Sequence, residues 1–134
     1  MTAAESGRMP LRSEQDIVLA RQAVRQHAQR LKFSLVDQTK MVTAASELAR
    51  NALVYGGGGD MDWEIVRNGA RTGLRLSFID QGPGIPDVGL ALTDGWTSGN
   101  GLGLGLSGTR RLVNDFELHS EPGAGTRVVI TRWQ

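Results

Sequence analysis

The sequence predicts an α+β fold, a two-layer α/β sandwich in which helices cover one face of a mixed, largely antiparallel β-sheet. Three observations predict it: a length of 134 residues, two long stretches with apolar residues at helical spacing, and two pairs of strand-like runs joined by turns. A chain of this length suffices for one two-layer core. We therefore expect a single domain over residues 9–134, preceded by a flexible tail at residues 1–8.

The first half of the chain predicts a short edge strand followed by two helices. Pro10 would confine a strand near Met9–Arg12 to the sheet edge, because proline donates no ladder hydrogen bond. Ser13 and Ser34 each stand three residues before an aspartate, which is typical of a helix N-cap. The helical stripes that follow are Ile17, Ala20, Val24, Ala28 and Leu31 in the first helix and Met41, Ala45, Leu48, Ala52 and Tyr55 in the second.

The second half predicts two hairpins, separated by a long loop and a helix. The strand-like runs are Met61–Arg67, Gly73–Ile79, Phe116–Ser120 and Thr126–Trp133. Asn68-Gly69 is a strong turn signal for the first hairpin, and residues 121–125 form the second turn. Residues 80–105 are rich in Gly, Pro, Asp, Thr and Ser, which indicates a functional loop, and a helix should run from about Gly103–Gly105 to Asn114.

Composition excludes several classes of protein. The formal net charge of +1 gives no general attraction to nucleic acid or to an anionic membrane. No apolar run approaches the roughly 20 residues that span a bilayer. There is no cysteine, and His27 and His119 lack the spacing of metal ligands. We therefore expect a cytoplasmic protein that binds neither nucleic acid nor membrane.

The second predicted helix carries a polar stripe beside its core stripe. Thr43, Glu47 and Asn51 are spaced by four and share one face. A carboxylate and a carboxamide one turn apart can offer a general base and a hard oxygen ligand for Mg²⁺. A solvated helix face has the same pattern, so the stripe alone leaves both interpretations open.

The segment Asp80-Gln81-Gly82-Pro83-Gly84-Ile85 follows directly on a predicted strand. A carboxylate at a strand end can accept a hydrogen bond from an exocyclic amine such as that of adenine. The two glycines allow a tight backbone turn beneath a flat base. An ordinary turn is the alternative, since it uses the same residue types.

Residues 99–107 alternate glycine with leucine and lead into a predicted helix. Bare backbone N–H groups with a helix N-terminus behind them form an anion site that suits phosphates. A flexible linker would be rich in Gly and Ser rather than in regularly spaced Leu. The P-loop pattern G-x-x-x-x-G-K-[ST] is absent, and no βαβ unit surrounds the segment, which excludes a P-loop and a Rossmann fingerprint.

Taken in order, these segments resemble the GHKL (Bergerat-fold) ATPases. The matching residues are Glu47 and Asn51 for the N box, residues 80–85 and 101–105 for the two glycine boxes, and Gly125-Thr126 for the closing threonine. The stretches at residues 16–22, 46–51 and 80–87 are similar to RsbT-like switch kinases of stressosome signalling. The similarity runs from about Met9 to Trp133.

The resemblance implies an ATP or ADP site and a role for each matching residue. Glu47 would be the catalytic general base and Asn51 the Mg²⁺ ligand. Asp80 would bind the adenine amino group, with Thr126 assisting through water. The remaining nucleotide contacts would come from Gly82, Gly84 and Ile85 around adenine and from Gly101, Leu102, Gly103, Leu104 and Gly105 at the phosphates, with Asp87–Asn100 as a short lid.

The resemblance also implies a reaction and partners. An RsbT-like serine/threonine kinase would use Mg-ATP to phosphorylate a hydroxyl of a STAS-domain antagonist protein, and it would activate a serine phosphatase by direct binding. The alternatives are an RsbW-like anti-sigma factor kinase, a nucleotide-binding module without phosphotransfer, and a detached histidine-kinase ATPase domain. The sequence departs from many relatives at Gly105, where they carry Ser or Thr, and it has no lysine in the predicted lid.

Overall fold

The computed structural model describes residues 2–85, 92 and 105–134, which form an antiparallel sheet packed against helices. The strands are β1 (Thr2–Leu11), β2 (Gly59–Asn68), β3 (Arg71–Asp80), β4 (Asp115–Ser120) and β5 (Thr126–Trp133), and the helices are α1 (Glu14–Arg30), α2 (Leu35–Val54) and α3 (Leu106–Arg110). The strand order is β1-β2-β3-β5-β4, and each pairing in it is antiparallel. The predicted fold class is confirmed.

Both long helices begin where their capping residues predict. Ser13 Oγ accepts a hydrogen bond of 3.2 Å from the backbone N–H of Asp16, and Ser34 Oγ accepts one of 3.1 Å from that of Asp37. Each cap satisfies one backbone donor that the first turn of a helix leaves unpaired. Within the described ranges, no helix is both long and apolar enough to cross a membrane.

The core lies between the helices and one face of the sheet. On β3, Leu74, Leu76 and Phe78 alternate along the strand and are almost fully buried. Their partners on β5 include Ile130 and Val128, which lie opposite Leu76 and Phe78. Since alternate residues of a strand point to the same face, this face carries the core across neighbouring strands. The stripes predicted for α1 and α2 are buried against it.

Residues 2–8 do not form the flexible tail that the sequence predicts, because β1 begins at Thr2. The strand pairs with β2 from Thr2, opposite Arg67, to Leu11, opposite Gly59. Gly7 lies directly against the ring of Trp63, where a Cβ would be only 2.6 Å from Nε1. The segment has no apolar alternation to reveal a strand, and backbone pairing with β2 is what orders it.

The third helix is shorter than predicted. It ends at Arg110, whereas the sequence predicts a helix that continues to Asn114. After Arg110 the N–H groups of Arg111 and Leu112 donate three residues back, to Gly108 at 3.2 Å and Thr109 at 3.0 Å, so the α-helical pattern has ended. The N–H of Asn114 donates to the carbonyl of Thr131 at 3.0 Å, so the chain has already joined the sheet at that point.

Candidate functional site

One end of the sheet brings together polar side chains from three neighbouring strands. The register places Asp80 of β3 opposite Thr126 of β5, and Thr126 opposite Ser120 of β4. These residues lie two positions along their strands from core residues such as Phe78 and Val128, so they share the face that the helices cover. The antiparallel register therefore forms a polar row at the edge of the core.

A cavity lies between this row and α2, and its walls are mostly apolar. Its lining residues are Leu48, Asn51, Ala52, Tyr55, Gly56, Phe78, Asp80, Pro83, Gly84, Ile85, Leu106, Thr126 and Val128. Asp80 and Thr126 provide polar groups on the sheet side, and Asn51 provides one on the helix side. Apolar walls with a few convergent polar groups are the usual construction of a small-molecule site.

Asp80 is enclosed by glycines that leave room for its carboxylate. A Cβ on Gly56 would lie 2.3 Å from Cγ of Asp80, and one on Gly82 would lie 2.6 Å from Cα of Gly56. Gly125 has a φ of +83°, and a Cβ there would lie 2.2 Å from the carbonyl oxygen of Asp80. A larger residue at any of these positions would displace the Asp80 backbone or side chain.

The Asp80 carboxylate is held by backbone donors and partly removed from water. The N–H of Gly82 donates to Oδ1 at 2.9 Å, and the backbone of Thr126 provides a second hydrogen bond. Burial raises the pKa of Asp80, and these two hydrogen bonds partly oppose that rise. The carboxylate is consequently a fixed acceptor on the cavity wall, and a ligand that donates a hydrogen bond would relieve the cost of its burial.

Glu47 and Asn51 lie one turn apart on α2, beside the start of α3. Glu47 packs against Gly105, which has a φ of +66° and whose Cβ, if present, would lie 2.5 Å from Oε1. Burial raises the pKa of Glu47, while the nearby Arg50 guanidinium lowers it. A raised pKa makes a carboxylate a better proton acceptor near neutral pH. The contact also explains why Gly105 carries no side chain here.

The amide oxygen of Asn51 is a donor suited to Mg²⁺, beside the Glu47 carboxylate. Among the described residues there is no cluster of three or more His, Cys, Asp or Glu side chains that could enclose a metal by itself. Mg²⁺ usually takes one or two protein ligands together with substrate phosphates and water. The donor set therefore fits a magnesium ion that arrives with a nucleotide.

The structure brings together most of the residues that the sequence singles out. The cavity lining includes the predicted residues Asn51, Asp80, Gly84, Ile85 and Thr126. Gly82 packs behind Asp80, and Glu47 contacts Gly105 next to the cavity. The predicted phosphate-binding residues Gly101, Leu102, Gly103 and Leu104 lie outside the described residues, as does the predicted lid Asp87–Asn100 apart from Leu92. Their roles stay predictions.

Sequence reasoning did not identify Gly56 and Ser120 as site residues. Gly56 is the first of four glycines after α2, a run that predicts the end of the helix and a close approach of backbone to a ligand, but not a contact of Gly56 itself. Ser120 ends a short strand before a turn, where serine is common. Gly56 lines the cavity, and Ser120 contacts two residues that line it, Ile85 and Thr126. Both relations depend on tertiary packing, which no local pattern indicates.

Comparison with known proteins agrees with this geometry. Residues 36–133 match the family model of histidine kinase-, DNA gyrase B- and HSP90-like ATPases. The serine/threonine-protein kinase RsbT of Bacillus subtilis (strain 168) is 45% identical over 121 residues, which cover 90% of this chain and 91% of RsbT. The adaptive-response sensory kinase SasA of Prochlorococcus marinus is 33% identical over 107 residues, which cover 67% of this chain and 27% of SasA.

Solved structures share the fold at low sequence identity. The RsbU and RsbW domains of Rv1364c from Mycobacterium tuberculosis superpose with a TM-score of 0.66 at 18% identity, covering 98% of this chain and 33% of that one. The SiaB–SiaC complex from Pseudomonas aeruginosa gives a TM-score of 0.54 at 14% identity, covering 98% and 91%. On the family match and the similarity to RsbT, the chain belongs to the histidine kinase-, DNA gyrase B- and HSP90-like (GHKL) ATPases, among the relatives of the RsbT serine/threonine kinase.

Proposed function

We propose that the protein is an RsbT-like serine/threonine kinase that uses Mg-ATP to phosphorylate a hydroxyl of a STAS-domain partner and thereby acts as a partner switch in bacterial stress signalling. The observation that carries the proposal is a half-buried carboxylate, Asp80, on the wall of an apolar cavity whose opposite wall is the helix of Glu47 and Asn51. The 45% identity to a protein named as a serine/threonine kinase supports the same activity.

The cavity suits an adenine base. Asp80 would accept a hydrogen bond from the 6-amino group, and Thr126 would assist through a water molecule. Phe78, Ile85 and Leu106 supply apolar surface for the ring faces. Guanine presents a carbonyl oxygen at the corresponding ring position, so it would place an acceptor against the Asp80 carboxylate and leave both groups without a donor.

Phosphoryl transfer would take place beside Glu47 and Asn51, next to the start of α3. Glu47 would take the proton of the incoming serine or threonine hydroxyl, whose oxygen forms a bond to the γ-phosphorus as the bond from that phosphorus to the ADP oxygen breaks. Asn51 would hold the magnesium ion, which supplies charge neutralisation at the phosphates. The backbone of residues 101–105 would bind the phosphates. Phosphoryl transfer depends mainly on positioning and on charge stabilisation at the phosphates. Because the predicted lid has no lysine, we expect the kinase to turn over slowly.

The partners follow as proposals from the family resemblance and from the reaction. A STAS-domain protein would present the acceptor hydroxyl, and a serine phosphatase would be the second partner of the switch. The same fold occurs in the RsbU and RsbW domain structure and in the SiaB–SiaC complex, which supports the fold of a switch protein rather than a particular partner. Such a protein would act in the cytoplasm, where its nucleotide is available.

The test is phosphoryl transfer from labelled Mg-ATP to candidate STAS-domain proteins, with mass spectrometry to locate the modified residue. We expect phosphoserine or phosphothreonine on one partner, and no label on a partner whose acceptor residue is replaced by alanine. ATP binding without transfer to any STAS-domain protein would favour a nucleotide-binding module. A protein that binds no ATP would contradict the whole proposal.

A further inference from the structure

Ser120 joins three segments of the site through a single hydroxyl group. The backbone N–H of Ile85 donates to Ser120 Oγ at 2.7 Å. Ser120 Oγ donates to the carbonyl oxygen of Gly125 at 3.0 Å. A third contact of 2.9 Å joins Ser120 Oγ to Thr126 Oγ1, in which either hydroxyl could be the donor. The hydroxyl therefore links the loop after β3 to the turn between β4 and β5.

All three contacts can be hydrogen bonds at once with only one direction for the third. A serine hydroxyl has one proton to donate and two lone pairs that accept. The proton of Ser120 is used on Gly125, and one lone pair is used by Ile85. Only the second lone pair is left for Thr126, so Thr126 must donate its own hydroxyl proton to Ser120. In this arrangement the proton and both lone pairs of the Ser120 hydroxyl have hydrogen-bond partners.

The same count determines what Thr126 offers to the cavity. Because its proton is directed at Ser120, the Thr126 oxygen has only acceptor lone pairs left for a ligand or a bridging water. Asp80, its neighbour on β3, is also an acceptor. Two adjacent acceptors on the cavity wall select a group that donates, and they repel a carbonyl oxygen in the same position.

We propose that Ser120 is a specificity-determining residue that acts through Thr126: by accepting the Thr126 proton, it keeps that hydroxyl an acceptor and so selects the amino group of adenine over a 6-oxo purine. The inference rests on the proposed ATP site and extends it to a residue outside the family's motifs. The backbone contact of 2.7 Å from Gly123 N–H to the Pro83 carbonyl holds the same two segments together independently of Ser120. Replacing Ser120 should therefore alter selectivity while the loops stay joined.

The test compares dissociation constants for ATP and inosine triphosphate, which carries a 6-oxo group in place of the amine. We expect the unaltered protein to prefer ATP and Ser120→Ala to lower that preference by about three- to tenfold, since Thr126 is then free to donate. Ser120→Thr retains the hydroxyl and should retain the preference. Ser77→Ala removes another buried hydroxyl on the opposite face of the sheet, and it is the matched control with an unchanged ratio.

A double-variant cycle with Thr126→Val separates this role from a structural one. Ser120→Ala should change the ATP-to-inosine triphosphate ratio in the native background and leave it unchanged when Thr126 is already valine. If Ser120→Ala weakens both nucleotides equally, Ser120 is only structural and the inference is wrong. If the unaltered protein binds both nucleotides equally, the failure lies instead in the proposed adenine site, and the inference that depends on it falls as well.

Discussion

At the residue scale, Asp80 and Glu47 are carboxylates in positions that disfavour their charge. Burial raises the pKa of both, by removing water from groups that ionise near pH 4 in an unfolded chain. A residue selected only for stability would avoid such a position. The departure from that rule is typical of a functional site, where stability is given up for binding or chemistry.

Replacing Asp80 by asparagine should separate binding from stability. Asparagine still accepts from the Gly82 N–H but has no charge to bury, so the variant should melt at the same temperature as the native protein or higher. The NH₂ group of asparagine would replace the carboxylate oxygen that accepts from adenine. The free energy of ATP binding should therefore weaken by about 1–3 kcal/mol. Calorimetry and thermal melts measure the two effects.

The matched control is Asp60→Asn, on the opposite face of the same sheet, which should leave ATP affinity unchanged. An Asp80→Asn protein with full ATP affinity would contradict the adenine role of Asp80. If Asp80→Asn strongly destabilised the nucleotide-free protein, burial of the Asp80 charge would not carry the cost that we expect.

Replacing Glu47 by glutamine should slow transfer while leaving nucleotide binding nearly intact. The side chain keeps its shape and loses its basicity, so kcat should fall by about 10- to 100-fold, at the low end for a general base because the transition state is loose. In the native protein, transfer should increase as pH rises through the elevated pKa of Glu47. Steady-state kinetics across pH would measure both, with the exposed Glu14→Gln as the control.

A Glu47→Gln enzyme that works at the native rate would rule out the general-base role. One that loses ATP affinity along with kcat would show that Glu47 organises the site rather than the chemistry. Retention of the native pH dependence in the variant would assign that dependence to another group.

Residue roles were predictable from sequence where a motif carried them. Glu47, Asn51 and Asp80 stood out because several weak patterns occurred in one order. The contacts of Gly56 with Asp80 and of Ser120 with Ile85 were not predictable, because each joins segments that are distant in sequence. Local composition can indicate a turn at these positions, but it cannot indicate what the turn touches.

At the element scale, the sequence predicted the helices better than the first strand. The starts of α1 and α2 follow from serine caps, since a side chain and a backbone donor three residues apart are sufficient to form them. β1 has no comparable local signal. It is an edge strand without apolar alternation over residues 2–8, and its hydrogen-bonding partner β2 is about 50 residues further along the chain.

Deleting Thr2–Arg8 should therefore destabilise the protein, although the sequence indicates a dispensable tail. The deletion removes ladder hydrogen bonds to β2, each contributing about 0.5–1.5 kcal/mol net, and exposes the Trp63 ring that packs on Gly7. We expect a loss of about 2–4 kcal/mol in the free energy of unfolding, which urea denaturation would measure.

Arg8→Ala is the control for the deletion. It removes only the 2.6 Å ion pair with Asp62, in which the arginine side chain is 60% exposed. Exposed pairs of this kind contribute little to stability, so the variant should stay close to the native protein. If the deletion costs no more than Arg8→Ala, residues 2–8 behave as a tail in solution.

At the scale of the whole molecule, the site depends on the strand order of the sheet, β1-β2-β3-β5-β4. Placing β5 between β3 and β4 brings Thr126 between Asp80 and Ser120. The sequence predicted the two hairpins, β2–β3 and β4–β5, and helices on one face, but not the pairing of β3 with β5 that joins the hairpins. Strand order follows from how the whole core packs, and that balance is not encoded in any one segment.

The two half-buried carboxylates, Glu47 and Asp80, should also give the unliganded protein a characteristic dependence of stability on pH. Because their pKa values are raised in the folded state, the folded protein binds protons more tightly than the unfolded chain at these two sites. Their contribution to stability is then fully present below about pH 4, where the unfolded groups titrate, and is lost as pH rises through the folded pKa values.

Other groups contribute to the pH profile, so the prediction concerns the difference between the native protein and the double variant Glu47→Gln/Asp80→Asn. The native protein should lose stability relative to the variant as pH rises from about 4. His27 acts in the opposite direction, since burial and Arg30 lower its pKa, and its contribution is lost as pH falls below about 6.5. His27→Gln is a control that removes the contribution of His27 to the pH profile. Urea denaturation from pH 4 to 8 measures the difference, and a constant offset between native protein and double variant would show that these carboxylates carry no cost of burial.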